Sequence, residues 1–136
     1  MRVLLDSNVW LAILTTDGFC RRYWRETRST CEFFSSEAIL AEIEEKLRHK
    51  FGFQIHHVRL LGAFVRRQTT HVTPTTDATG LCRDPDDAPI LAAALDANCA
   101  FLVTGDQDLL VLQSVQGMAI LTPRQFAERL ASGKEC

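Results

Sequence analysis

The sequence predicts an α/β fold with three layers, α/β/α, built around a central parallel sheet. Short apolar segments alternate with longer amphipathic ones along the chain, which is the pattern expected when helices connect parallel strands. Hydrophobic residues make up 46% of the chain and charged residues 24%, as in a soluble globular domain. The length of 136 residues suits one domain over residues 1–136, and no internal repeat or linker divides it.

The first half of the chain predicts two strands and four helices. The short apolar segments RVLL at 2–5 and CEFFS at 31–35 predict strands. A helix over 7–15 follows the first strand, and either Asp6 or Ser7 caps it. The other predicted helices span residues 19–29, 36–49 with Ser36 as cap, and 54–67.

The second half predicts three strands and three helices separated by a polar loop. The segment THVTP predicts a strand over 70–74 that ends at a proline, and residues 75–85 form the loop. The apolar segments FLVT and MAIL predict strands over 101–104 and 118–121. The predicted helices span residues 86–98, 107–112 and 123–132, the last with Pro123 in its first turn.

Composition argues against several classes of protein. The net charge is −2, so the chain lacks the large positive charge of a protein that binds nucleic acid over much of its surface. A local basic face is still compatible with this charge. The N-terminus lacks a signal peptide, and no apolar run approaches the roughly 20 residues of a membrane span, so we expect a cytoplasmic protein. The cysteines are scattered without a C-x-x-C pair, which favours free thiols over a zinc site or disulfides: Cys20, Cys31, Cys82, Cys99 and Cys136.

Carboxylates follow two of the predicted strands. Asp6 comes directly after RVLL, and Asp106 comes shortly after FLVT. Ligands gather at the carboxyl ends of parallel strands, so we expect both acids at one edge of the sheet. A third acidic group, RDPDDAP, opens the helix before FLVT and contains Asp84, Asp86 and Asp87. The helix over 36–49 offers a fourth acid, but helical periodicity does not choose among Glu37, Glu42, Glu44 and Glu45.

Each of the aspartates alone also suits a helix cap or a first-turn position, and the glutamates alone suit a helix face exposed to solvent. Together they are harder to explain, because two carboxylates about 4 Å apart repel by about 4 kcal/mol at an effective dielectric near 20. Protonation, a basic partner or a bound cation relieves such repulsion, and no lysine or arginine directly adjoins Asp6 or Asp106. Ligation by oxygen alone suits Mg²⁺ or Mn²⁺. The sequence therefore predicts a divalent-metal site suited to phosphate chemistry.

Four segments resemble the PIN-domain family, specifically the VapC-like PIN toxins of bacterial toxin–antitoxin pairs. They are VLLDSNVWLA, SSEAILAEIEEKL, CRDPDDAPILAAALDANCAFLVTGDQDLL and AILTPRQFAERL. The third is the most specific, because it combines an acidic helix start, an alanine-rich helix, a short apolar strand and Thr-x-Asp in the family's order. The resemblance covers nearly the whole chain and implies a metal-dependent endoribonuclease, a hydrolase that acts on RNA.

The resemblance also implies a role for individual residues. It matches the family's catalytic acids to Asp6, Glu42, Asp87 and Asp106, and it alone selects Glu42 among the helix glutamates. Asp6, Asp87 and Asp106 would ligate Mg²⁺ or Mn²⁺. The implied supporting residues are Asn8, Thr104, Asp84 and Asp108, of which Asn8 and Thr104 would hydrogen-bond the acids and hold their geometry.

An arginine face and two partners complete the expectations. Arg21, Arg25 and Arg28 lie on one face of the predicted helix over 19–29, where they could contact RNA or a partner, or simply face solvent. The resemblance further implies an antitoxin protein that covers the acidic groove, and a homodimer.

Three other functions stay open at this point. The protein could be a PIN nuclease of RNA processing outside any toxin–antitoxin pair, or a degenerate PIN fold kept as a binding module. The intact set of acids argues against the degenerate module. A phosphotransfer enzyme with an aspartate nucleophile typically begins D-x-D, and Asn8 stands at the third position here.

Overall fold

The computed structural model describes residues 1–133, and a six-stranded sheet lies at its centre. The strands are β1 (Arg2–Leu5), β2 (Glu32–Ser35), β3 (Thr70–His71), β4 (Phe101–Val103), β5 (Ser114–Val115) and β6 (Met118–Leu121). Their order is β3-β2-β1-β4-β6-β5, and every pairing is parallel except that of β5 with β6. The predicted α/β class with a central, mostly parallel sheet is confirmed.

Seven α-helices surround this sheet in the described residues. They are α1 (Ser7–Thr15), α2 (Phe19–Thr27), α3 (Glu37–His49), α4 (Ile55–Gln68), α5 (Ala88–Asp96), α6 (Gln107–Leu110) and α7 (Pro123–Gly133). Two 3₁₀ helices, Thr79–Leu81 and Pro85–Asp87, lie in the loop before α5. None of the described helices is long and apolar enough to cross a membrane.

The neighbouring strands β1 and β4 position the two strand-end acids. Leu5 lies opposite Val103 in the parallel register, and the backbone N–H of Asp6 donates to the carbonyl of Val103 at 2.9 Å. The loops that follow the two strands therefore leave the sheet side by side. This part of the sheet is rigidly held, because Leu4 and Leu102 are fully buried.

Aromatic packing fixes α1 and α2 on the sheet. The ring centroids of Trp10 and Trp24 are 5.0 Å apart in an edge-on arrangement, and those of Trp24 and Phe33 are 4.9 Å apart. Edge-to-face aromatic pairs add about 0.5–1.5 kcal/mol each beyond the burial of their area. Helix α3 packs in turn against α1, α4 and α5, which brings the acids of α3 and of the loop before α5 towards β1.

Two strand predictions need correction. The predicted strand over 70–74 is only the two residues of β3, because its partner β2 ends at Ser35, which pairs with His71. The prediction missed β5, a two-residue edge strand joined to β6 by a tight turn. Gln116 and Gly117 form that turn with φ angles of 52° and 87°, and two successive positive φ values match the twist of a hairpin.

One smaller difference concerns a helix start, whereas the described cysteines agree with the prediction. The helix predicted from residue 86 begins as the 3₁₀ helix Pro85–Asp87 and becomes α-helical at Ala88. The described cysteines are free thiols: Cys20, Cys31, Cys82 and Cys99. Cys136 lies outside the described residues.

Candidate active site

Asp6 is a buried carboxylate held in place by three hydrogen bonds. Its side chain, only 5% exposed, caps α1 by accepting from the backbone N–H of Ser7 at 2.7 Å. Its other oxygen accepts from Thr104 Oγ1 at 2.8 Å and from Asn8 Nδ2 at 3.2 Å. Burial raises the pKa of Asp6, the bonds from Thr104 and Ser7 lower it, and the nearby charges of Glu42 and Asp106 raise it again.

Asn8 and Thr104 tie together the loops that follow β1 and β4. The side-chain carbonyl of Asn8 accepts from the backbone N–H of Gly105 at 3.0 Å. Thr104 is fully buried, and its hydroxyl accepts from the backbone N–H of Asp106 at 3.0 Å while donating to Asp6. Both side chains thus occupy the positions from which they can orient the acids, as the resemblance implied.

Glu42 is connected to the site through the side chain of Ser7. The hydroxyl of Ser7, which is fully buried, donates to Glu42 Oε1, and Lys46 forms an ion pair with the same oxygen at 3.6 Å. The cap of α1 is Asp6 rather than Ser7. Because Ser7 immediately follows Asp6, this bond places Glu42 beside the strand-end acid.

Two other glutamates of α3 point elsewhere. Glu37 forms an exposed ion pair with Arg66 at 3.1 Å. Glu44 lies against Gly62 of α4, where a Cβ atom would meet its Oε2 at 2.8 Å. The geometry therefore favours Glu42 over Glu37 and Glu44, a choice that helical periodicity could not make.

Asp87 has a carboxylate that does not cap α5, although it stands at the cap position. Asp84 caps the preceding 3₁₀ helix, Pro85–Asp87, by accepting from the backbone N–H of Asp86 at 3.0 Å. Asp87 Oδ2 is buried and has no hydrogen-bond partner among the described residues. Burial, followed by the charge of Asp106, raises the pKa of Asp87 to about 7.

Asp106 and Asp108 complete the acidic group. Asp106 caps α6 by accepting from the backbone N–H of Asp108 at 2.9 Å. One carboxylate oxygen from each of Asp84, Asp87 and Asp108 lies within 4.8 Å of the others; we call these three the outer cluster. The acidic pocket is defined here as the outer cluster together with Asp6, Glu42 and Asp106.

The residues of the acidic pocket fit a hard divalent cation. Every donor is a carboxylate oxygen, the ligand type that Mg²⁺ and Mn²⁺ prefer. The buried, unpartnered oxygen of Asp87 and the pKa of about 7 of that carboxyl indicate a negative charge that the protein alone leaves uncompensated. A cation bound among these oxygens would supply the missing partner.

The three arginines of the predicted basic face differ in their contacts. Arg21 donates from Nε and Nη2 to the carbonyls of Ile13 and Leu14, at 2.8 and 3.1 Å, and so binds the C-terminal end of α1. Arg25 and Arg28 both line a groove of about 320 Å³. Its other lining residues are Ile13, Leu14, Arg21, Trp24, Leu61 and Phe64.

Comparison with known proteins identifies the family and the fold. A family model for the PIN domain matches residues 2–108. A search of curated proteins finds no match. Several solved structures share the fold at sequence identities below 20%, a level at which the likeness concerns the fold alone.

Three of these structures come from bacteria. VapBC2 from Rickettsia felis, bound to a DNA fragment from their promoter, has a TM-score of 0.66 and 13% identity over 88% of this chain and 97% of that chain. VapC20 from Mycobacterium tuberculosis, a Sarcin-Ricin loop cleaving toxin, has a TM-score of 0.63 and 15% identity, covering 84% and 97%. VapBC-1 from nontypeable Haemophilus influenzae has a TM-score of 0.66 and 16% identity, covering 91% and 99%.

The family match includes every acid of the pocket, since it runs from the first residue of β1 to Asp108. The matched residues also contain the paired strands β1 and β4, and the acidic pocket lies at the ends of these two strands. The chain belongs to the PIN-domain family.

Proposed function

We propose that this protein is a divalent-metal-dependent endoribonuclease and the toxin component of a type II toxin–antitoxin system. The observation that carries the proposal is the buried, unpartnered carboxylate oxygen of Asp87 inside the acidic pocket. Membership of the PIN-domain family and the likeness to VapC structures support it. Of the other candidates, a degenerate binding module would have no need for a costly cluster of acids.

Asp6, Asp87 and Asp106 are the residues that would hold Mg²⁺ or Mn²⁺. When bound, the ion supplies a Lewis acid that lowers the pKa of a water molecule and offsets the charge that builds on the phosphate. The bonds from Ser7, Asn8 and Thr104 fix the orientation of the Asp6 carboxylate. Fixed ligands lower the cost of organising the site when substrate arrives.

Glu42 has a separate role beside Asp6. Ser7 and Lys46 both contact its Oε1, so Oε2 is the oxygen that can orient an attacking water or accept its proton. A positioned carboxylate of this kind contributes typically 10²- to 10⁴-fold to the rate. Ser7 is then a positioning residue, which acts on the reaction through Glu42.

Replacing Ser7 with alanine tests that assignment. We expect kcat to fall about 10- to 100-fold, as for other residues that orient a ligand, with little change in KM. In a background that already carries Glu42→Gln, the same substitution should have almost no further effect, because the two residues act as one unit. Independent, multiplying losses in the double variant would contradict a role through Glu42.

The substrate and partners follow from the structures to which the chain is similar. One of them is a Sarcin-Ricin loop cleaving toxin, which supports RNA as the substrate. Two are VapBC structures, which support an antitoxin as the partner and favour a toxin over a nuclease of RNA processing. Arg25 and Arg28 offer cations for RNA phosphates or for acidic groups of the antitoxin. We also propose a homodimer in the cytoplasm.

The decisive experiment compares the wild-type protein with Asp6→Asn and Asp106→Asn on cellular RNA. Cleavage should require millimolar Mg²⁺ or Mn²⁺ and fall by roughly 10²- to 10³-fold in either variant, the scale of losing one electrostatic element of an active site. Equal cleavage by wild type and variants would indicate a contaminating nuclease. Growth arrest on expression, relieved by a co-expressed antitoxin, would separate the toxin from a nuclease of RNA processing.

A further inference from the structure

Arg83 forms an ion pair with Asp108, one of the three residues of the outer cluster. Its Nε and Nη2 both donate to Asp108 Oδ1, at 2.8 and 2.6 Å. Arg83 lies in the loop that leads to Pro85–Asp87, whereas Asp108 lies in the first turn of α6. The pair therefore joins two walls of the pocket that are 25 residues apart in the sequence.

Arg83 is the one cation in ionic contact with the outer cluster within residues 1–133. The other cation of the acidic pocket, Lys46, pairs with Glu42 at the longer distance of 3.6 Å. A guanidinium carries a permanent positive charge and donates from a rigid fork. Asp108 Oδ1 is thus already paired with a positive charge within a cluster whose oxygens could share a divalent ion.

We propose that Arg83 takes the place of a second divalent ion in this protein. The acidic pocket then loads one ion, at Asp6, Asp87 and Asp106, and Arg83 supplies the other positive charge beside the RNA phosphate. This inference rests on the proposed nuclease function, since it concerns the same pocket.

The geometry of Arg83 suits both parts of this role. The oxygens of the outer cluster lie close enough to share a cation, but Arg83 already pairs with one oxygen of Asp108 and repels a further cation there. Nη1 of Arg83 makes no bond to Asp108, so its donors are available to a phosphate oxygen. In nucleases with two ions, the second ion clamps the oxygens of the phosphate, and an arginine can form hydrogen bonds with the same oxygens.

Counting bound Mn²⁺ tests the proposal directly. Calorimetric titration and the electron paramagnetic resonance signal of free Mn²⁺ would give the number of ions per chain in wild type, Arg83→Gln and Arg83→Lys. We expect one ion in wild type, two in Arg83→Gln, and one in Arg83→Lys, which keeps the charge. Arg66→Gln is the matched control, because it removes an equally exposed arginine from an ion pair with Glu37 and should leave one ion.

A second measurement follows the contact with RNA. In the Asp106→Asn background, which slows turnover, Arg83→Gln should weaken RNA binding and reduce the slope of log affinity against log salt by about 1. Arg83→Lys should restore the slope. An unchanged slope in Arg83→Gln would overturn the phosphate contact.

The outcomes separate this inference from the proposed function. Two ions in wild type, or one ion in both wild type and Arg83→Gln, would overturn the role of Arg83 while leaving a metal-dependent nuclease intact. Failure of Mn²⁺ to bind wild type at all would overturn the proposed function itself. An exposed ion pair contributes little to stability, so Arg83→Gln should remain folded. Its melting temperature checks this.

Discussion

Replacing Asp87 with asparagine is expected to stabilise the metal-free protein at pH 8 and to abolish its response to divalent ions. In the unfolded chain the carboxyl has its ordinary pKa of 3.8, whereas in the folded protein the pKa is about 7. Above pH 7 the charged form is therefore held in a site that disfavours it. Since Asp87 is partly open to water, which screens the repulsion, we expect a gain of about 1–2 kcal/mol, less than the pKa difference alone would give.

The sign of this effect depends on pH. Below about pH 4, Asp87 is protonated in both the folded and the unfolded chain, and the substitution should leave the stability unchanged. As pH rises from about 4 to 7, the unfolded chain loses the proton first, so the folded wild type becomes progressively less stable. The advantage of Asp87→Asn should grow over that range and level off above pH 7.

Thermal unfolding with and without Mn²⁺ measures both parts of the prediction. Without metal, the variant should melt about 3–8 °C above wild type at pH 8, and Mn²⁺ should raise the melting temperature of wild type only. Asp86→Asn is the matched control, because Asp86 is an exposed carboxylate one residue away and its loss changes net charge equally. A similar stabilisation in Asp86→Asn would show that general charge, rather than the pocket, is responsible.

Cation affinity should rise steeply with pH up to about 7 and then level off. The carboxyl of Asp87 carries a proton below its pKa of about 7, and a ligand must lose its proton before it can bind a metal. One displaced proton corresponds to roughly a tenfold gain in affinity per pH unit, or about 100-fold between pH 5 and 7.

Calorimetry in buffers of different ionisation enthalpy would count that proton. We expect nearly one proton released per Mn²⁺ at pH 5.5 and nearly none at pH 8.5. The raised pKa of Asp6 acts in the same direction. An affinity that stays constant between pH 5 and 7 would show that Asp87 does not ligate the ion, even if the ion binds elsewhere in the pocket.

The strand-end acids could be predicted from the sequence because their position depends on topology alone. Asp6 and Asp106 follow apolar strands, and the ends of adjacent parallel strands share one sheet edge. Asp87 was ambiguous, since an acid at a helix start also suits a cap. The structure resolves the ambiguity in its case, because the Asp87 side chain makes no capping bond to α5.

Two contacts of the pocket could not be predicted because they depend on tertiary packing. The bond from Ser7 to Glu42 arises where α1 meets α3, and helical periodicity describes only the face that each helix buries. The bond between Arg83 and Asp108 joins a loop to a helix that follows an intervening strand. Neither of these contacts produces a recognisable local pattern in the sequence.

The hydrogen bond between Thr104 and Asp6, which spans 98 positions of the chain, has a consequence for protein synthesis. A ribosome releases β1 and β2 early, but the other edge of β1 has no partner until β4 emerges. A nascent chain therefore carries Asp6 and Glu42 well before the wall that contains Asp106 exists. The acids are assembled only after β4 and Asp106 have emerged, so an incomplete chain that stops before β4 should leave the RNA around it intact.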